Sequence, residues 1–179
     1  MCEKDLNKVM QVDEAKLAFQ SSITRATSSQ EIFQHLEHAA QEWIGVKLFT
    51  VMDYVASRNM GRRCYTNDPE NYPASGWIAL TDNNWFDCVI RNRKIYVAND
   101  IDQIALDFAD ANLIAQLGCE SIVNLPLIED DQVIATVNLL NKAGHFDDKK
   151  LEEVRRMMPL AKMAYLASHK LTQQTLTTE

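Results

Sequence analysis

The chain has 179 residues, of which 46% are apolar and 24% charged, with a formal net charge of -7. That length suits one domain, and the apolar share supports a real core, which excludes disorder as the main state. The acidic balance argues against nucleic acid, whose phosphates select a basic patch, and no apolar run approaches the roughly 18 residues of a membrane span.

Residues 1–10 lack the apolar stretch of a secretion signal, so the expectation is a cytoplasmic protein with reduced thiols. The four cysteines, Cys2, Cys64, Cys88 and Cys119, are widely spaced and form no C-x-x-C. His35 and His38 stand three apart on a predicted helix. That spacing can share a metal, but a solvated helix face accounts for it better, and no metal site is expected.

Residues 13–26 predict a helix, with Ala15, Phe19 and Ile23 at four-residue steps and Asp13 as N-cap. Ser28 and Glu31 form the S-x-x-E pattern of a capping box. Ile32, Phe33, Leu36, Ala39, Ala40, Trp43 and Ile44 follow as one apolar stripe, and Gly45 ends it. Residues 46–56 and 62–66 predict strands about a turn at Asn59–Gly61, and residues 68–76 a loop rich in Pro, Asn and Gly. A short helix over 83–92 is capped by Asn83 or Asn84. A short strand over 94–97 and one or two helical turns over 100–117 come next, with Asp100 as a cap.

Residues 121–128 and 133–141 are the clearest strands. Pairing Asn124 with Asn138 leaves the connection Asp130–Gln132. Val123, Leu125 and Leu127 then share a wholly apolar face with Ala135, Val137 and Leu139. The opposite face carries Ile122, Asn124, Ile128, Ile134, Thr136, Asn138 and Leu140, mixed as a pocket floor would be. A one-residue slip puts Asn138 in the apolar face, so the first register is preferred. Pro126 cannot donate to the ladder and belongs at an outward-facing N–H position or a bulge. Asp147 or Asp148 starts a long last helix, which Pro159 should kink. The expected organisation is an N-terminal helical extension over 1–27, a domain over 28–171 and a polar tail over 172–179. The element order is an α+β plan.

The residues Leu48-Phe49-Thr50-Val51, Arg63-x-Tyr65, Pro69, Tyr72-Pro73, Trp85 and Asp100 come in that order. Leu117-Gly118-Cys119-x-Ser121-x-x-Asn124-x-Pro126, Val137-Asn138-Leu139-Leu140 and Gly144-x-Phe146 complete the set. Together they resemble a GAF domain, in particular the small stand-alone bacterial GAF proteins, over residues 13–169. The resemblance implies a GAF-like, PAS-related six-stranded antiparallel sheet. It places N- and C-terminal helices on one face, with short helices and loops on the other. It further implies a small-molecule pocket and a homodimer formed through the terminal helices, here residues 13–44 and 147–170.

The cyclic-nucleotide members carry Asn-Lys, a spacer and Phe-x-x-x-Asp-Glu. Asn141-Lys142 and Phe146 are present here, but Lys150-Leu151 stands where the acids belong. Bilin attachment needs a Cys beside a His, and none of Cys64, Cys88 or Cys119 has one. His145, the one domain His near a strand end, reads as a surface residue rather than a haem or iron ligand. Reduction of free methionine sulfoxide, another GAF activity, uses three thiols, and Cys64, Cys88 and Cys119 are the candidates. Their spacing departs from that family's, and buried inert cysteine is the commoner state.

The candidate ligand-binding residues are Arg63, Tyr65, Trp85, Asn124, Thr136 and Asn138. Arg63 and Tyr65, two apart on a strand, share a face, where the guanidinium forks onto an anion or pairs at the surface. Trp85 is core or lid. Asn124 and Asn138 orient a ligand or pair with each other. Ser121 falls on the other parity. The leading expectation is a sensor or regulatory module, a homodimer that binds an unidentified small anionic or aromatic ligand and signals through a separate output protein or by dimer rearrangement. No cofactor, catalytic residue, nucleic acid or membrane is expected.

Overall fold

Asp130 and Asp131 both take positive φ, 45° and 61°, which two-residue hairpin turns demand. They join the two longest strands of a computed structural model that describes residues 14 and 16–176, with side chains to 173. The element order is α1 (residues 16–25), α2 (Ser29–Trp43), β1 (Leu48–Val55), β2 (Met60–Thr66), β3 (Ile78–Ala79), α3 (Asn84–Phe86), β4 (Tyr96–Ala98), α4 (Ile101–Asp107), α5 (Ala111–Gln116), β5 (Ser121–Glu129), β6 (Gln132–Asn141) and α6 (Asp148–Leu176). A single π turn, Asp87–Arg91, continues α3. The strands form one antiparallel sheet in the order β3-β2-β1-β6-β5-β4.

Asn124 does pair with Asn138. The connection is two residues rather than three, because Gln132 pairs with Glu129 and a bulge at Leu127/Ile128 takes up the slack. The apolar face is fully buried: Val123, Leu125, Ala135, Val137 and Leu139 have no exposed surface and Leu127 has 1%. Pro126 lies past Asn124, the last β5 residue that β4 pairs, so its missing N–H deprives no edge strand.

The chain ends of the helices follow their sequence signals. Ser28 Oγ accepts from the Glu31 N–H at 3.1 Å. The Glu31 carboxylate reaches the Thr27 N–H at 2.8 Å, one residue before the expected box. Gly45, at φ 80°, donates to the carbonyls of Ala40 and Gln41 and stops α2. Asn83 caps α3, Asp100 caps α4 and Asp147 caps α6, each by accepting a backbone N–H three residues on. The Asp13 cap lies outside the described residues. Helix α6 runs to Leu176, past the expected start of the tail at 172, with Pro159 inside it.

The described chain forms two compact units. Residues 40–158 hold the sheet and the short helices. In this unit Trp85, Phe86 and Val89 of α3 and its π turn, Ile104 of α4, and Ala111 and Ile114 of α5 cluster with Leu48, Tyr96, Ile122 and Leu140 of the sheet. Ala40, Ile44, Val154 and Met157 are buried in the same unit. The other unit comprises the described residues up to 39 and from 159. There Ser29 Oγ donates to the Ser168 carbonyl at 2.8 Å, and Phe19, Ile23, Ile32, Phe33, Leu36 and Tyr165 are buried. No helix among the described residues is long and apolar enough to cross a membrane.

Gly61 of β2 is a position of close approach. A Cβ there would stand 3.2 Å from Leu80 Cδ2, 3.2 Å from Met52 Sδ and 3.3 Å from the Asp53 carbonyl oxygen. At an unconstrained strand position Ala is more stable than Gly by roughly 0.5–1 kcal/mol. Here the sign reverses: Gly61→Ala is expected to destabilise the domain by about 1–3 kcal/mol through overpacking. Urea denaturation measures it, and a stabilised variant would disprove the close approach.

Candidate functional site

A cavity of about 310 Å³ lies between the mixed face of the sheet and the short helices. Its floor is Thr50 and Met52 of β1, Asn138 and Leu140 of β6, and Ile122 and Asn124 of β5. The parity that keeps the other face apolar puts these six on one side. Trp85, Phe108 and Ile114 line the helical wall, with Arg63, Tyr72, Ser75 and residues 78–81 opposite.

Four polar side chains cross the floor as a directed chain. Trp85 Nε1–H donates to Asn124 Oδ1 at 3.1 Å. Asn124 Nδ2 donates to Asn138 Oδ1 at 2.6 Å, and Asn138 Nδ2 donates to Thr50 Oγ1 at 3.0 Å. Asn124 and Thr50 are each 2% exposed, so an unpaired amide or hydroxyl there would carry its full desolvation cost. Trp85 is therefore core and cavity wall together, and the two asparagines do pair with each other.

The wall carries two phenol–carboxylate pairs. Tyr72 Oη–H donates to Asp110 Oδ2 at 2.6 Å. Tyr96 Oη–H donates to Asp107 Oδ2 at 2.9 Å, an oxygen that also accepts from Asn84 Nδ2 at 3.2 Å. Phe108 stands edge-on to both Trp85 and Tyr96, with centroids 6.1 and 5.9 Å away. Burial, then the Asp110 charge, pushes the Tyr72 phenol up. Burial, then the hydrogen bond to Asp107, does the same to Tyr96.

Of the six residues expected to bind ligand, Arg63, Trp85, Asn124 and Asn138 line the cavity. Tyr65 does not. A bulge at Cys64 pairs Arg63 with Met52 but Tyr65 with Val51, which turns the two side chains to opposite faces. Tyr65 packs edge-on against Phe49 at 6.0 Å. Thr136 is also displaced. It lies on the mixed face but is fully buried outside the cavity, and its hydroxyl has no partner among the described residues. Arg63 makes neither a fork nor an ion pair among the described residues. Its Nη1 donates to the Pro73 carbonyl at 2.6 Å, and its guanidinium carbon sits 3.6 Å from the Tyr72 ring centroid. Ser121 donates to the carbonyls of Asn141 and Lys142. His145 Nε2 meets the Ile44 carbonyl at 3.0 Å.

Sequence reasoning missed Tyr72, Asp107 and Asp110 as wall residues. The available signal was an acid on each side of Phe108 in a segment of weak periodicity. The thiols stand apart. None of Cys64, Cys88 and Cys119 lines the cavity. Burial is the largest cause raising all three; Cys64 donates to the Val51 carbonyl at 3.4 Å, and Cys119 is fully buried.

Raised tyrosines have a stability consequence. Below the ordinary phenol value of about 10 both folded and unfolded forms are protonated, and stability is complete. Above it the unfolded chain ionises first and stability falls. Tyr72→Phe and Tyr96→Phe are each expected to flatten this alkaline limb, measured as melting temperature between pH 8 and pH 11.

The GAF domain model matches residues 26–164. No curated protein sequence matches the chain. Among solved structures, the GAF domain of a two-component sensor histidine kinase from Bacillus halodurans superposes with a TM-score of 0.65 at 9% identity, covering 86% of this chain and 100% of that one. The GAF domain of an Acinetobacter phosphoenolpyruvate-protein phosphotransferase gives 0.64 at 11% identity over 94% and 97%. A free methionine-R-sulfoxide reductase from Neisseria meningitidis, in complex with its substrate, gives 0.62 at 13% identity over 88% and 90%. Likeness at such identities speaks for the fold alone. With the model matched from the second helix into the last, around the same cavity-bearing sheet, the chain belongs to the GAF domain family.

Proposed function

We propose that this GAF domain is a cytoplasmic small-molecule sensor whose ligand rests on the floor formed by Asn124, Asn138 and Thr50, beneath Trp85. The observation that carries the reading is the directed amide chain on the floor of a cavity of about 310 Å³ whose other lining includes Met52, Leu80, Phe108, Ile114, Ile122 and Leu140. A few placed polar groups in an apolar concavity of at least roughly 300 Å³ is the usual make-up of a ligand site. The neighbour that is part of a sensor histidine kinase supports a signalling role. Reduction of free methionine sulfoxide by Cys64, Cys88 or Cys119 is the less favoured reading, because all three thiols are held up by desolvation and none lines the cavity, and a thiol held in its protonated form is a poor nucleophile.

Native mass spectrometry of the purified protein tests this directly. A mass above a whole multiple of the chain mass, lost on denaturation, reports a bound molecule. Asn138→Leu is expected to abolish that excess and to destabilise the fold by about 1–3 kcal/mol, since Asn124 and Thr50 lose their partner. Trp85→Phe keeps an aromatic ring but removes the N–H and the fused five-membered ring, so it weakens binding and also costs stability. The Cys64→Ser, Cys88→Ser, Cys119→Ser triple variant keeps the bound molecule. Loss of the excess in that variant alone would shift the reading to thiol chemistry.

The sensor acts as a homodimer through its terminal helices and signals through a separate output protein. Leu17 of α1 and Leu166 of α6 are 64% and 41% exposed, apolar surface that a dimer interface there would cover. Sedimentation equilibrium at micromolar concentration is expected to give twice the chain mass, and Leu17→Glu with Leu166→Glu to halve it. A wild-type monomer would refute the dimer.

A further inference from the structure

Building on the cavity as a ligand site, we infer that its occupant carries a protonated amine. Three charged side chains line the cavity, namely Arg63, Asp107 and Asp110. The guanidinium is already committed to the Pro73 carbonyl and the Tyr72 ring. The two carboxylates flank Phe108 and Ala109 in the chain, and both line the cavity. Each accepts from a tyrosine through Oδ2, and no donor among the described residues reaches the Oδ1 of either. Neither makes an ion pair among the described residues.

The remaining surroundings are apolar or neutral: Met52, Leu80, Ile114, Ile122 and Leu140, with the amide floor below. Carboxylates beside such walls are stabilised by a cation that brings its own N–H donors. A ligand ammonium supplies both the charge and the donors that the two Oδ1 atoms lack. An anion would meet two carboxylates against one occupied guanidinium, so of the expected anionic or aromatic ligands the proposal keeps the aromatic class and adds an amine. A volume near 310 Å³ is at the small end for ligand pockets, the scale of an amino acid or an arylalkylamine.

Calorimetric titration of the full chain with three probes sharing one ring tests the class: phenethylamine, L-phenylalanine and 3-phenylpropanoate. The two amines are expected to bind at least about tenfold more tightly than the acid. Asp107→Asn and Asp110→Asn each keep an acceptor for their tyrosine, and each should weaken the amines by about tenfold while leaving the acid unchanged or tighter. If a variant fails to fold, the wild-type ranking of the three probes decides. Acid binding equal to amine binding, or amine binding indifferent to both variants, overturns the amine while leaving a ligand site. Binding of none of the three, with no excess native mass, overturns both.

Discussion

The bond between Asn124 and Asn138 is the constraint on which the cavity depends. It exists only because β5 and β6 pair those two positions, and that register follows from burying Val123, Leu125, Leu127, Ala135, Val137 and Leu139 on the far side. A slip of one residue would turn Asn138 into the apolar face and bury its amide among aliphatic chains at a cost of several kcal/mol. The apolar core thus aligns the polar floor. The floor in turn anchors a helix, since the Trp85 indole donates to Asn124. Loss of this bond would leave a buried N–H unpaired, so α3 is held against the sheet by polarity as well as by packing.

A second constraint acts at the sheet edge. The bulge at Cys64 and the side-chain-free position at Gly61 lie on the same strand, β2. The bulge rotates Arg63 onto the cavity side while keeping Arg62 opposite Asp53, where its Nε donates to the buried carboxylate at 2.7 Å. Two adjacent arginines therefore serve opposite faces. Gly61 admits the Leu80 side chain, which brings the segment after β3 over the cavity. Asn59, at φ 48°, ties that segment down by accepting from Leu80 N–H through its carbonyl and donating from Nδ2 to the Leu80 carbonyl.

How much of this was legible in the sequence differs by element. The β5–β6 register was readable because one parity is wholly apolar and the other mixed. The helix caps were readable because an Asx or Ser side chain satisfies an orphan N–H locally. The bulge was not, since Arg63-Cys64-Tyr65 has no Gly and reads as plain alternation. That hid the separation of Arg63 from Tyr65. Thr136 was placed on the correct face, but periodicity does not say how far along a strand a cavity extends. Asp107 and Asp110 were invisible for a different reason. Their role comes from meeting Tyr96 and Tyr72, the latter 38 positions away, and α4 and α5 are too short to show a clear amphipathic pattern.

A floor that is already hydrogen-bonded is not closed to a ligand. Each asparagine amide has two N–H donors and two acceptor lone pairs. Asn124 uses one N–H and one lone pair in the chain, and so does Asn138. Each retains the other half of its capacity, while its orientation is fixed by its neighbours. A ligand can therefore be read by pre-aligned amides without breaking the bonds that hold Trp85 and Thr50, and little side-chain entropy remains to be lost on binding. Charge is kept off this floor and placed on the wall, at Asp107 and Asp110. In the proposed site the neutral floor would orient a molecule, and the two wall carboxylates would select its charge.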